Sequence, residues 1–367
     1  MFEILFILSS ICALIQILWL ISQIDSFNFF SKRNPGKPIS VIIAAKNELE
    51  NLKKLVPALR NQKYNRDWEV IIILDRCSDD SLAYLKQEKE YFQGLIILEQ
   101  KQSDIPPEIS PKKNALMKAI EIAKYDLILQ TDADCYPKTD FWLKEMGESL
   151  KEGDVFVIGL SPYEKHPGFL NKIIQYDTTW TAGSMIYFAS KGKAYMSLGR
   201  NQMFLKSYFL GKGGFGEKVM VPFGDDDLLI QNLNPQKKCN TCVTNDGQTV
   251  SIPESNWHDW FNQKLRHLMA GKYYPNNILK ELILNYLTLP FYILLAIAIL
   301  IFPEYWTYCL ALFLIRNLLY AYLFKRLADK SGSEINIVFI PVLDLLHICI
   351  NLALGLKSRL RNNIEWR

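Results

Sequence analysis

Leu127-Ile-Leu-Gln130-Thr-Asp132-Ala-Asp134 joins a short apolar run to two acids separated by a single residue. An apolar run of this length, bounded by polar segments, fits a strand buried on both faces. The pattern repeats upstream, where Val70-Ile-Ile-Ile-Leu74 runs directly into Asp75 of LDRCSDD. Further runs occur at Ile39–Ala44, Leu95–Leu98 and Val155–Ile158, and the strand at the opening motif spans Asp126–Gln130. Polar, helix-like segments at Glu48–Arg60, Ser81–Tyr91 and Lys112–Lys124 separate the first four. The alternation predicts βαβ units, a mostly parallel sheet and, most simply, sequential Rossmann-like winding.

The flanks are of another kind. Residues 4–21 (ILFILSSICALIQILWLI) form an apolar stretch of spanning length. No Lys or Arg precedes Lys32 and no small-residue cleavage pattern follows, so an uncleaved anchor is expected rather than a secretory signal. Lys32, Arg33 and Lys37 come next, and the positive-inside rule puts the following domain in the cytoplasm, at the cell membrane. Leu282–Phe302, Tyr305–Phe324 and Ile335–Leu356 are apolar again, before a tail carrying Lys357, Arg359, Arg361 and Arg367. Three full crossings would carry that basic tail outside. Ile335–Leu356, which holds Asp344 and His347, is therefore the expected re-entrant or interfacial segment. Arg316, in the middle span, is expected to pair with Asp344 and join two helices; an acceptor path is the alternative. The expected division is an anchor and basic linker at 1–37, an α/β domain at 38–277 and a membrane region at 278–367.

Composition excludes other classes. A formal charge of +4 with no long basic run gives no footing for nucleic acid. Seven scattered cysteines do not form a disulfide framework and suit a reducing compartment. Cys239 and Cys242 form a CxxC without a second ligand pair, so a turn is expected there rather than zinc.

Ligands of open α/β sheets bind at the carboxyl ends of the strands. Asp75, Asp132 and Asp134 all follow predicted strands and should share that rim. Clustered carboxylates raise one another's pKa unless a cation compensates, and hard oxygen ligands suit Mg²⁺ or Mn²⁺. A third group, Gly224-Asp225-Asp226-Asp227, opens the apolar segment Leu228–Leu233. One Asp there would read as a helix cap. Three after a glycine exceed what capping needs, so one is expected to face the cleft.

PISVIIAAKNELENL, ILDRCSDDS, PKKNALMKAI, QTDADC, GRNQMFLK, GDDDLLI and QKLRH, taken in order, resemble the successive motifs of the family 2 inverting glycosyltransferases. The likeness runs from Pro38 to Leu268 and continues into apolar segments, as in the membrane-bound members related to ceramide glucosyltransferases and polysaccharide synthases. It implies a GT-A fold, a nucleotide-diphosphate sugar donor, Mg²⁺ or Mn²⁺, and a lipid, lipid-linked or glycan acceptor beside membrane lipids.

By the same resemblance Glu48 lies where the nucleotide is received, and Asp75 meets its base or ribose edge. Lys112 sits near the donor, with Lys113 a close competitor. Asp134 holds the metal most directly, and Asp132 the metal or the donor ribose. Asp226 is the general base, with Asp225 as runner-up and either Asp225 or Asp227 left to cap the helix. Gln263 and Arg266 of QKLRH contact the donor, although His267 replaces the expected Trp of a QxxRW motif and leaves acceptor geometry open. Trp257 and Trp260 could pack on sugar or, as favoured here, anchor at the membrane interface. Two other functions compete: a processive polysaccharide synthase, for which three or four spans are few, and a non-catalytic sugar-nucleotide-binding scaffold, which has no need of a complete acidic set.

Overall fold

The computed structural model describes residues 1–28, 34–235 and 238–360, with side chains through Lys357. Lys32, Arg33, Arg361 and Arg367 lie outside the described residues, as does the Arg359 side chain. Two compact units emerge. Of the described residues, those within 34–164 and 188–253 form a sheet unit, and 1–28, 165–187 and 254–360 a helical unit.

The sheet unit contains β1 (Ile39–Ala45), β2 (Trp68–Asp75), β3 (Leu95–Gln100), β4 (Leu127–Gln130), β5 (Cys135–Pro137), β6 (Phe156–Gly159), β7 (Gln202–Leu205), β8 (Cys239–Cys242) and β9 (Thr249–Ser251). Seven of them form one sheet in the order β3-β2-β1-β4-β7-β6-β8, while β5 and β9 pair separately. β1, β2, β3 and β4 are mutually parallel, as their buried, β-branched composition requires. Val41, Ile43, Val70, Ile72 and Leu129 are fully buried in the core that includes Leu52, Leu55, Val56 and Leu59 of the helix Leu49–Arg60.

Sequential winding fails after β4. β7 runs antiparallel to β4, with Gln130 opposite Gln202, and β6 is antiparallel to β7. The sheet stays mostly parallel, but the four residues of β7 are too short a signal to announce a reversed strand. The reversal has a functional consequence. It returns the segment before β7 to the rim where β4 and β6 end. The CxxC is no turn: Cys239 and Cys242 begin and end β8, which pairs in parallel with β6, and both thiols are free.

In the helical unit, Phe2–Ser26, Pro303–Ser331 and Ile337–Lys357 are long and apolar enough to cross a membrane. Asn276–Tyr286 and Thr288–Ile301 form a further pair bent by 40°. The bent pair lies at the first C-terminal apolar segment, while Ile337–Lys357, expected to be re-entrant or interfacial, is one helix of spanning length. Pro290 supplies the cause of the bend, since it has no N–H for the carbonyl one turn back and disfavours helix before it. Arg316 and Asp344 do pair: Nη2 lies 2.7 Å from Oδ2 with both side chains buried. Thr288 donates to the same carboxylate at 2.9 Å, and Gln16 accepts from Arg316.

Candidate active site

The winding order reverses between β1 and β4, and a crevice opens at such a switch point on the carboxyl edge. Glu48 follows β1, and Asp132 and Asp134 follow β4. Two cations, Lys112 and Lys113, stand in the first turn of the helix Pro111–Ile122, against the preference of a helix N-terminus for anions. Carboxylates compensate. Lys112 Nζ lies 3.0 Å from Asp132 Oδ1 and 2.8 Å from Asp225 Oδ2. Burial works to discharge this ammonium, but the two aspartates outweigh it and hold the pKa well above the ordinary value. Lys113 takes another role: its Nζ donates 2.8 Å to the carbonyls of Lys218 and Val221.

Asp225 and Asp226 sit side by side in unlike surroundings. Burial pushes Asp225 up, but Lys112 overcomes it and holds the carboxyl below its usual value. Gln130 also donates to Asp225 at 3.3 Å, and Gln202 Nε2 donates to Gln130 Oε1 at 3.1 Å. Asp226 forms no ion pair among the described residues, and Lys112 acts on it only as a lesser influence. Burial and then the charge of Asp225 push it up to about 6. Its Oδ2 accepts from Gly199 N at 3.2 Å, and its Oδ1 from Asp227 N at 2.7 Å. Asp226 itself is therefore the N-cap of Asp227–Leu233, not Asp225 or Asp227. Two glycines make this possible. Gly224 turns the chain at φ +69, and a Cβ on Gly199 would lie 3.2 Å from Asp225 Oδ2.

Asp134 and Glu48 also carry raised pKa values. Burial leads in both, with Asp132 adding to Asp134 and with Asp134 and Asp132 adding to Glu48. That surplus of negative charge bears on the metal. Among the described residues no group of three or more His, Cys, Asp or Glu side chains is arranged to hold one. Mg²⁺ and Mn²⁺ in nucleotide sites need only one or two carboxylates, with phosphates and water completing the shell. Asp132 and Asp134 fit that requirement.

Asp75 is on the same rim, but β1 separates its strand from β4. Its side chain is fully buried and occupied, accepting from Arg76 Nε and Nη2 at 2.9 Å each and from Gln100 at 2.7 Å. Asp75 thus positions Arg76 rather than opening into the cleft. Arg76 in turn lines a pocket of ≈ 630 Å³ with Ser78, Asp79, Lys101 and Gln102. Gln263 and Arg266 lie on the helix Trp257–Ala270 of the helical unit. Between them, Lys264 is buried and bonds both oxygens of Asp177 at 2.7 and 2.9 Å, and His347 Nε2 meets the same carboxylate at 2.9 Å. Trp260 is 2% exposed and belongs to the core rather than to an interface, while Trp257 is 40% exposed.

Sequence alone did not single out Gln130 and Gln202, the amides that lead to Asp225, or Arg200, which follows the Gly199 that holds Asp226. Gln130 left a trace as a polar residue closing an otherwise apolar strand. Arg200 stood inside the GRNQ motif, yet its placement depends on the reversed β7.

Residues 40–210, the stretch that builds β1 to β7 and carries Glu48, Lys112, Asp132 and Asp134, match the model of Glycosyl transferase family 2. A poly(ribitol-phosphate) beta-glucosyltransferase of Bacillus spizizenii is 30% identical over 99 residues, 27% of this chain and 15% of that protein. The chain thus spans a small part of that relative's length. The solved mannosyltransferase PcManGT from Pyrobaculum calidifontis, in complex with GDP-Man and Mn²⁺, has a TM-score of 0.61 at 16% identity, covering 97% of this chain and 99% of that one. Residues 1–349 of S. aureus TarS, in complex with UDP-GlcNAc, give a TM-score of 0.44 at 12% identity, covering 88% and 92%. The family match covers just under half of the chain, and the fold is a mostly parallel, GT-A-like sheet with terminal apolar helices of spanning length.

Proposed function

We propose that this chain is a metal-dependent, inverting glycosyltransferase of the cell membrane, with its sheet unit in the cytoplasm. It moves a sugar from a nucleotide-diphosphate donor to a lipid, lipid-linked or glycan acceptor. The observation that carries the reading is the unlike setting of two adjacent carboxyls: Asp225 is paired with Lys112 at 2.8 Å, while Asp226 is held by the amides of Gly199 and Asp227 at 3.2 and 2.7 Å. Neighbouring acids in such different surroundings suit a base and its electrostatic partner.

Asp226 takes the proton of the acceptor hydroxyl as that oxygen attacks the anomeric carbon from the face opposite the leaving diphosphate, which inverts the centre. The amides of Gly199 and Asp227 fix the carboxylate, and Lys112 ties Asp225 to Asp132. Asp134 and Asp132 would hold Mg²⁺ or Mn²⁺, which when bound neutralises charge on the departing diphosphate. The nucleotide-sugar complex of PcManGT with Mn²⁺ supports a donor and metal of this class. Glu48 and, through Arg76, Asp75 serve the nucleotide side. By the motif's resemblance alone, Gln263 and Arg266 remain proposed donor contacts.

A panel of nucleotide sugars offered to the purified chain in detergent tests this. Hydrolysis or transfer of at least one, abolished by EDTA and restored by Mn²⁺, is expected. Turnover that ignores EDTA would remove the metal from the reading, and no turnover of any donor would remove the enzyme.

A further inference from the structure

One cation of the sheet unit has no role in this reading. Lys112 is committed to Asp132 and Asp225, and Lys113 to two loop carbonyls. Arg200 forms no ion pair among the described residues. Its Nη1 donates to Tyr163 Oη at 2.8 Å, its Nη2 to the Ser161 carbonyl at 3.1 Å, and its guanidinium carbon lies 4.5 Å from the Tyr163 ring centre. Its buried Nε–H meets no acceptor. One proton on each Nη remains beyond those bonds.

This guanidinium is built in. The Arg200 carbonyl accepts from Thr131 and Thr249 hydroxyls at 2.9 Å each, so its backbone is pinned between the β4 rim and β9. The preceding residue, Gly199, holds Asp226, and Asp134 lies close enough to interact with Arg200 electrostatically. A partly exposed guanidinium, stacked on a tyrosine and lacking a carboxylate partner, is preorganised for an oxyanion with matching fork geometry. The Nε–H, buried without an acceptor among the described residues, leaves hydrogen-bonding capacity of this guanidinium unused.

We infer that Arg200 binds a phosphate oxyanion of a substrate between Asp134 and Asp226. The inference rests on the glycosyl-transfer reading and adds a binding residue to it. The phosphate comes either from the donor's diphosphate or from a phosphate ester on a lipid acceptor.

Two probes separate the sources, using the full chain in detergent with Mn²⁺. GDP and UDP are titrated calorimetrically into the parent and Arg200→Gln, and donor turnover is measured with dioleoyl phosphatidic acid or with uncharged diacylglycerol. A donor source predicts that Arg200→Gln weakens the preferred nucleotide by about 10- to 100-fold, the size of one charged hydrogen bond, and that Arg200→Lys recovers part. An acceptor source predicts unchanged nucleotide binding, with inhibition by phosphatidic acid, but not by diacylglycerol, in the parent and lost in Arg200→Gln. Should Arg200→Gln fail to fold, phenylglyoxal labelling of the parent decides: nucleotide or phosphatidic acid shields Arg200 if the inference holds, and neither does if it is wrong. Parent turnover with unchanged nucleotide affinity and unchanged phosphatidic acid response in a folded Arg200→Gln overturns the inference alone, leaving Arg200 a prop for Tyr163. A parent that turns over no nucleotide sugar instead sinks the glycosyl-transfer reading.

Discussion

As the proposed base, Asp226 serves only when ionised, and its pKa is pushed up to about 6 by burial and by Asp225. Protonation therefore removes activity as pH falls through about 6, and the parent's transfer rate should show an acid limb there. Asp225→Asn removes a charge that raises Asp226, so the limb should move to lower pH even if the maximal rate falls. A pH–rate profile of both proteins checks this, and an unmoved limb in Asp225→Asn would disconnect the two carboxyls. Asp134→Asn keeps shape but weakens a hard-cation ligand. Its donor turnover should need more Mn²⁺ than the parent's and recover partly as Mn²⁺ is raised. Identical metal titration curves for the two proteins would take Asp134 out of the metal site.

Among elements, the acidic strand ends were readable because each follows a short apolar run between polar helix-like segments, the pattern of a buried strand. Asp132 and Asp134 reach the crevice beside Glu48 for that reason. Asp75 follows the same rule but is enclosed by Arg76 and Gln100, contacts that no local pattern announces. The cap at Asp226 and the placement of Arg200 depend on Gly199 and the reversed β7, which are tertiary facts. Likewise the sequence marks Pro290 but not the 40° bend near it. The Arg316–Asp344 pair, by contrast, followed from two charges in apolar segments and the cost of leaving either alone. Arg316→Met should lower stability by about 3–5 kcal/mol, because it strands a buried carboxylate. Arg316→Met with Asp344→Leu should recover most of that loss. Denaturation in detergent measures both, and a double variant no better than the single would mean the helices need the polar network itself.

For the molecule as a whole, three helices of spanning length and a fourth, bent candidate predict a chain that sediments with membranes and resists carbonate extraction. Release of the intact chain into the soluble fraction would remove the anchor from the account. In the proposed reaction Asp132 and Asp134 serve the donor and its metal, while Asp226 takes the acceptor's proton. Asp226→Asn keeps the shape and deletes the proton acceptor. The decisive measurement is its transfer rate at saturating donor and Mn²⁺, with nucleotide affinity measured separately on the same protein. Transfer should fall by about 10²–10⁴-fold, the usual contribution of a general base, while affinity stays at the parent's value. Transfer at the parent rate in Asp226→Asn, above all if Asp225→Asn is inactive, would contradict the assignment and move the base to Asp225.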